Sequence, residues 1–220
     1  MLKKYGRRNP NRGYGSHFSW WLESDELMLP EYKSYGNGSA MRVGTIPAYF
    51  FDVSDVIRYS VYSAYPTHSH LDGIKGAVVA AVIVWMCLQG VGKEDILKYI
   101  QKQYPPRKDY PGKVNGYTSL EELQSGIKDD MVHAVVNNTL HAGETVCEAV
   151  INLVNSTSFE SCLRNAQTYL CDRDTVGAIS GAMAAAYYGV ARGETLTVDD
   201  REIEDVMQGY TKTLRHHDVV

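Results

Sequence analysis

Asp172-Arg173-Asp174-Thr175 sets two carboxylates two positions apart with a hydroxyl beside them, directly before a helical run from Val176 to Tyr188. Hard oxygen donors grouped on a helix-entry loop are what a magnesium ion takes. The same residues also suit a plainer purpose. Asp or Thr ahead of a helix caps its free N–H groups, and acidic side chains complement the positive end of its dipole. Spacing alone leaves both readings open.

Two further strings carry chemistry-bearing types. In Ser34-Tyr35-Gly36-Asn37-Gly38 the glycines let backbone pass close to a ligand, and successive N–H groups at a turn or helix start form an anion-binding nest. The alternative is a turn without a ligand. Thr67-His68-Ser69-His70 leads into a long apolar helix. Entering a helix, positions i and i+2 diverge by about 200°, so the two imidazoles do not share a metal. That leaves either a cap at Thr67 or Ser69 with two incidental rings, or His68 donating a hydrogen bond to a ligand. Asp129-Asp130, Asp199-Asp200 and His216-His217 read as solvated faces or a tail. There is no Gly-x-Ser-x-Gly and no P-loop, and Cys147 lies in an apolar run with no third group to orient a nearby His141.

The elements that must hold these residues are helical. Residues 1–45 read as irregular, with an aromatic cluster around Phe18-Ser19-Trp20-Trp21 that docks on the core. Ser54 or Asp55 caps a helix to Tyr65, stopped by Pro66. Helices then run over Leu71–Gln89 and Lys93–Tyr104. A loop covers 105–118, and helical patterns resume at Leu120–Leu140, Glu144–Asn155, Phe159–Leu170, Thr175–Tyr188 and Asp200–Arg215. No hairpin signal occurs. The expectation is an all-α, single compact domain over 1–220, with the ligand loops in 1–45 and the helical core in 54–216. Rows of small residues at four-residue spacing (Gly73, Ala77, Ala81; Gly76, Ala80; Gly177, Gly181, Ala185) mark tightly packed central helices.

The chain's 220 residues suffice for one buried core, and 44% hydrophobic with 22% charged residues is ordinary for a globular domain. A net charge of −4 and a pI near 6.0 give no reason to expect nucleic acid. Lys3-Lys4 and Arg7-Arg8 read as a short solvated tail. The longest apolar stretch, Ala77 to Leu88, falls short of the roughly 20 residues of a bilayer span, so no membrane partner is expected. No signal peptide is evident, and four scattered cysteines fit a reducing, cytoplasmic setting.

The strings "SYGNGSAMRVG", "THSHLDGIKGAVVAAVIVW" and "DRDTVGAISGAMAAAYYG" occur in an order that resembles the successive signatures of the ADP-ribosylglycohydrolase family, and "NPNRGYGSHFSWWL" is similar to the segment preceding them. The resemblance implies an all-helical fold with a cleft over magnesium, and hydrolysis of the bond between ADP-ribose and an acceptor. By motif, Asp172, Asp174 and Thr175 match the family's C-terminal metal ligands. Ser34, Tyr35, Gly36 and Asn37 match the loop cradling diphosphate and ribose, and His68 matches the histidine meeting the same ligand. The family's usual Gly-Asp-Ala-Leu-Gly and Thr-Asp-Asp segments do not occur, Leu170-Cys171 replaces its Gly-Gly, and Arg173 sits where a small residue is usual.

The resemblance then implies one magnesium ion rather than two, or none, and no assigned catalytic residue. It also implies an exposed face covered by a second copy or a partner. The alternatives are a relative that binds ADP-ribose or another nucleotide without turnover, and an interaction protein.

Overall fold

Leu71–Leu88 is the element around which the others assemble. In a computed structural model describing residues 2–10, 12–27, 33–104, 141–167 and 172–189, it forms an 18-residue helix whose Gly73, Gly76, Ala77, Ala80, Ala81, Ile83 and Val84 are buried. Its mean hydropathy of 1.9 and its length would suffice for a membrane crossing, yet 56% of it is buried within the protein. The continuous apolar character follows from burial on several sides, because five neighbouring helices contact it.

In chain order the described helices are α1 (Leu2–Arg8), α2 (Ser16–Glu23), α3 (Gly38–Met41), a 3-10 turn (Ile46–Ala48), α4 (Val53–Ala64), α5 (Leu71–Leu88), α6 (Lys93–Gln103), α7 (Ala142–Asn155), α8 (Phe159–Ala166) and α9 (Arg173–Tyr188). α5 packs on α3, α4, α6, α7 and α9, and α9 packs in turn on α7 and α8. Val79, Ile83, Val146, Val150, Leu153 and Met183 form the centre of the core. Lys93 secures the end of α7 by donating to the carbonyls of Val154 (3.1 Å) and Ser156 (2.5 Å). The fold is all-α, and among the described residues the only β pairings are two isolated bridges. The chain to Gly189 forms one compact unit. The expected elements at 105–118, 120–140 and 200–215, the acidic and histidine pairs there, Cys171 and the domain's extent to 220 lie outside the described residues.

Three expectations are corrected. The opening is helical: in α1, Gly6 is buried against Leu22, and Lys3 and Arg7 donate to carbonyls of Leu22 (2.5 Å, from Arg7) and Ser24 (2.6 Å and 2.5 Å), so the basic residues clamp the end of α2. Trp21 and Leu22 form a small cluster of their own with Tyr14 and Phe18, separate from the main core. The cap of α4 is Asp52, which accepts from Ser54 N–H at 2.8 Å, and that of α5 is His70, whose Nδ1 accepts from Asp72 N–H at 3.2 Å.

Candidate functional site

Segment 33–37 is held in place by backbone. Lys33 pairs with His68 and Gly36 with His141 in antiparallel bridges, and the Ala142 N–H donates to the Tyr35 carbonyl at 3.0 Å. This seating requires two bare positions on α5. A Cβ on Gly73 would lie 2.6 Å from the Ser34 carbonyl oxygen, and one on Gly76 would lie 2.5 Å from Ala142 Cβ. The small-residue row of α5 is therefore what brings both the loop and the start of α7 against the helix. The Ser39 hydroxyl completes the docking by donating to the Gly73 carbonyl at 2.7 Å.

Within the loop, Ser34 Oγ accepts from Gly36 N–H at 3.1 Å, tightening the turn ahead of α3. The Tyr35 ring lies half exposed, stacked on His141 at 4.4 Å and 18° and edge-on to His70 at 5.9 Å. Asn37 is buried, and its Nδ2 donates to Asp172 Oδ2 at 2.9 Å and to Thr145 Oγ1 at 3.2 Å. One amide thus joins the loop, α7 and the entry to α9.

His68 is 6% exposed. Arg42 Nη2 donates to Thr67 Oγ1 at 2.8 Å, and Thr67 Oγ1 lies 2.7 Å from His68 Nδ1. With Arg42 donating to its oxygen, the Thr67 hydroxyl has its proton placed to meet Nδ1, an arrangement in which Nε2 carries the ring proton. Nε2 lies 3.3 Å from where a Gly38 Cβ would stand, so it faces the ligand loop. Burial first, and then the positive charge of Arg42, lower the His68 pKa to about 3, so the ring stays neutral at physiological pH.

Asp172 occupies the N-cap position of α9, and its Oδ2 accepts across the fold from Asn37 Nδ2 at 2.9 Å. Burial pushes its pKa up, but interactions with the Asp174 carboxyl, the Asn37 amide and Thr175 outweigh this and hold it below the usual carboxylate value. Thr175 is buried, and its hydroxyl lies between the Asp172 carboxyl and Met41 Sδ, 3.4 Å from the sulfur. Arg173 is exposed and turned away, with Nη1 donating to the Gln167 carbonyl at 3.4 Å. It therefore adds no fixed cation between the two acids. Asp172, Asp174 and Thr175 carry hard oxygen donors at the entry to α9, the ligand type that a magnesium ion takes. Among the described residues no group of three His, Cys, Asp or Glu gathers to hold a metal.

The described cysteines, Cys87, Cys147 and Cys162, are buried and unpaired. Burial pushes the Cys87 and Cys147 thiols up to about 12, which removes them as nucleophiles.

A family-wide sequence profile, ADP-ribosylglycohydrolase, matches residues 2–198. The chain belongs to the ADP-ribosylglycohydrolase family. Among relatives of this family, the ADP-ribosylhydrolase ARH3 of Gallus gallus is 27% identical over 233 residues, covering 86% of this chain and 63% of its own length. Its counterpart in Homo sapiens is 25% identical over 228 residues, covering 84% and 62%. A solved structure titled "ADP-ribosylglycohydrolase-related protein complex" superposes with a TM-score of 0.61 at 21% identity over 86% of this chain and 62% of that one, a likeness of fold. The chain thus spans about three-fifths of the length of the relatives it matches.

The structure brings the sequence-marked residues Ser34, Tyr35, Gly36, Asn37, His68, Asp172 and Thr175 into one neighbourhood, with Asp174 exposed at its rim. Sequence reasoning missed Thr145, His141, Arg42 and the seating role of Gly73 and Gly76. Arg42 stood within a recognised string without a task, and nothing local distinguishes Thr145 from any buried helix threonine.

Proposed function

We propose that this chain forms the ligand-holding part of an enzyme that hydrolyses the bond between ADP-ribose and its acceptor with the help of magnesium. The observation that carries the reading is the Asn37–Asp172 hydrogen bond at 2.9 Å, which couples the loop that would hold the ligand to the acids that would hold the metal. Ser34, Tyr35, Gly36 and Asn37 cradle the ADP-ribose, with the Tyr35 ring offering a stacking face and the backbone N–H groups meeting phosphate oxygens. His68, fixed as an Nε2–H donor by Thr67 and Arg42, donates to the same ligand. Asp172, Asp174 and Thr175 hold the cation, which when bound supplies Lewis acidity toward the ribose hydroxyls. Asn37 orients Asp172 and keeps it ionised.

Three such donors leave most of a cation's coordination to water or to groups outside the described residues, so the reading includes a partner or second copy that completes the site. It also includes a cytoplasmic setting, supported by the buried, unpaired cysteines. Incubation of the purified chain with an ADP-ribosylated peptide and magnesium tests the activity. Release of ADP-ribose above a metal-free blank is expected, and no release would refute hydrolysis by this chain. Binding without release would instead support a binding module. That second reading is favoured by the lack, among the described residues, of a third acidic or histidine ligand.

A further inference from the structure

The Asn37 amide lies between two acceptors. Its Nδ2 is 2.9 Å from Asp172 Oδ2 and 3.2 Å from Thr145 Oγ1. The Thr145 proton is already placed, because the hydroxyl donates to the His141 carbonyl one turn back at 3.0 Å. Thr145 therefore turns only lone pairs toward Asn37, as a carboxylate does. Turning the amide over would set Oδ1 against both oxygens, so the neighbours fix which way it faces. Both N–H bonds are spent in this way. Oδ1 takes no donor from the described residues, yet it is not sealed from solvent. It is the open atom of the amide.

We infer that Thr145 is a positioning residue: by holding the Asn37 amide with Oδ1 open, it makes this point of the site an acceptor that selects a ligand hydroxyl over a phosphate oxygen. The inference rests on the function proposed above, which sets the ribose hydroxyls beside the cation held by Asp172. Thr145 is 1% exposed and lies 108 positions from Asn37, so it reaches the ligand through the amide and not by itself. Its anchor is well chosen. His141, whose carbonyl takes the Thr145 proton, also pairs with Gly36 in a backbone bridge. The hydroxyl and the residue before Asn37 are thus registered on the same point of chain.

Thr145→Val keeps the branched shape and removes the acceptor. The amide is then held by Asp172 alone, and one N–H is released to meet a phosphate oxygen instead. A group that accepts from a hydroxyl discriminates strongly against a ligand that lacks one, so the loss falls on selectivity.

Two measurements on the full chain test this, one of them without ligand. In nitrogen–proton correlation spectra, assigned by the pair that Asn37→Ala removes, both side-chain amide protons of Asn37 exchange slowly with water. Thr145→Val speeds the exchange of one of them by about tenfold, and Thr145→Ser restores it, with the helical circular dichroism unchanged. Calorimetry in magnesium then compares ADP-ribose with ADP, which lacks the terminal ribose. Thr145→Val weakens ADP-ribose by about three- to tenfold and ADP by less than about twofold, and Thr145→Ser matches the wild type. Equal losses for the two ligands overturn the inference, since a merely structural role weakens both alike. So do amide protons that Thr145→Val leaves unchanged. A wild type that binds neither ligand overturns the functional reading and the selectivity with it, and the amide protons alone then decide whether Thr145 holds Asn37.

Discussion

Replacing Asn37 by aspartate turns the central amide of the site into a carboxylate, and the consequence can be worked through. Asn37 Nδ2 donates to Asp172 at 2.9 Å and to Thr145 at 3.2 Å. A hydrogen bond to an ionised group contributes about 1.5–3 kcal/mol and a neutral one about 0.5–1.5 kcal/mol. Asp172 is only partly buried, and water recovers part of the loss, so Asn37→Ala costs roughly 2 kcal/mol.

Asn37→Asp loses the same bonds and sets two like charges about 3 Å apart. The repulsion is on the order of 1.4 kcal/mol in bulk water and 5.5 kcal/mol at an effective dielectric constant near 20. Protonation of one carboxyl limits this term, which gives a total cost of about 3–5 kcal/mol at neutral pH in metal-free buffer. Against a total stability of about 5–15 kcal/mol, such a variant remains folded but is clearly weakened.

A divalent cation held by Asp172 and Asp174 reverses the sign of the added charge, so magnesium restores Asn37→Asp by about 1 kcal/mol or more beyond what it does for Asn37→Ala. Urea unfolding followed by circular dichroism, with chelator and with magnesium, measures all four values. Equal midpoints for the two variants in both buffers would refute the placement of Asn37 beside a cation-holding acid.

Three further predictions follow from the same geometry. The folded-state pKa of His68, about 3, lies below its unfolded value of 6.5. The unfolded chain therefore takes the proton first, and stability is complete above pH 6.5 and falls by about 1.4 kcal/mol per unit as pH drops from there toward 3. His68→Gln flattens that slope in denaturant titrations between pH 7 and pH 5, and an unaltered slope contradicts a buried neutral imidazole. Gly73→Ala, which drives a Cβ to 2.6 Å from the Ser34 carbonyl, costs about 1–3 kcal/mol in thermal unfolding and loosens the ligand loop. Wild-type stability would show that the loop is not seated there. Arg173→Ala changes magnesium affinity by less than about twofold, because the guanidinium is exposed and directed to Gln167. A tenfold gain by calorimetry would place its charge beside the metal instead.

Local rules made much of the fold legible. The four-residue spacing of small residues marked α5 and α9 as central, and Lys93, Pro66 and Gly90 marked helix boundaries that the structure places within a residue or two. What the sequence hid is long-range. The start of α1 was read as a solvated tail from its short basic run, because nothing local shows that Gly6 packs on Leu22 or that Lys3 and Arg7 reach backbone carbonyls 15 to 21 residues away.

The candidate site divides the same way. Its residue types were recognisable as three strings, but the Asn37–Asp172 contact spans 135 positions, and Thr145 reaches it from a third element. The row Gly73–Gly76 read as helix packing, which holds for Gly76 against Ala142 at the start of α7, while Gly73 meets the ligand loop. Periodicity records that a face is close-packed and carries no record of which segment packs there.

The central claim is that the loop joined to Asp172 through Asn37 holds ADP-ribose. Isothermal titration of the chain with ADP-ribose in magnesium measures it directly. The account predicts saturable one-to-one binding that chelator weakens and that Asn37→Ala weakens by roughly tenfold or more. The absence of binding by the wild type, or identical affinities for the wild type and Asn37→Ala, would contradict it.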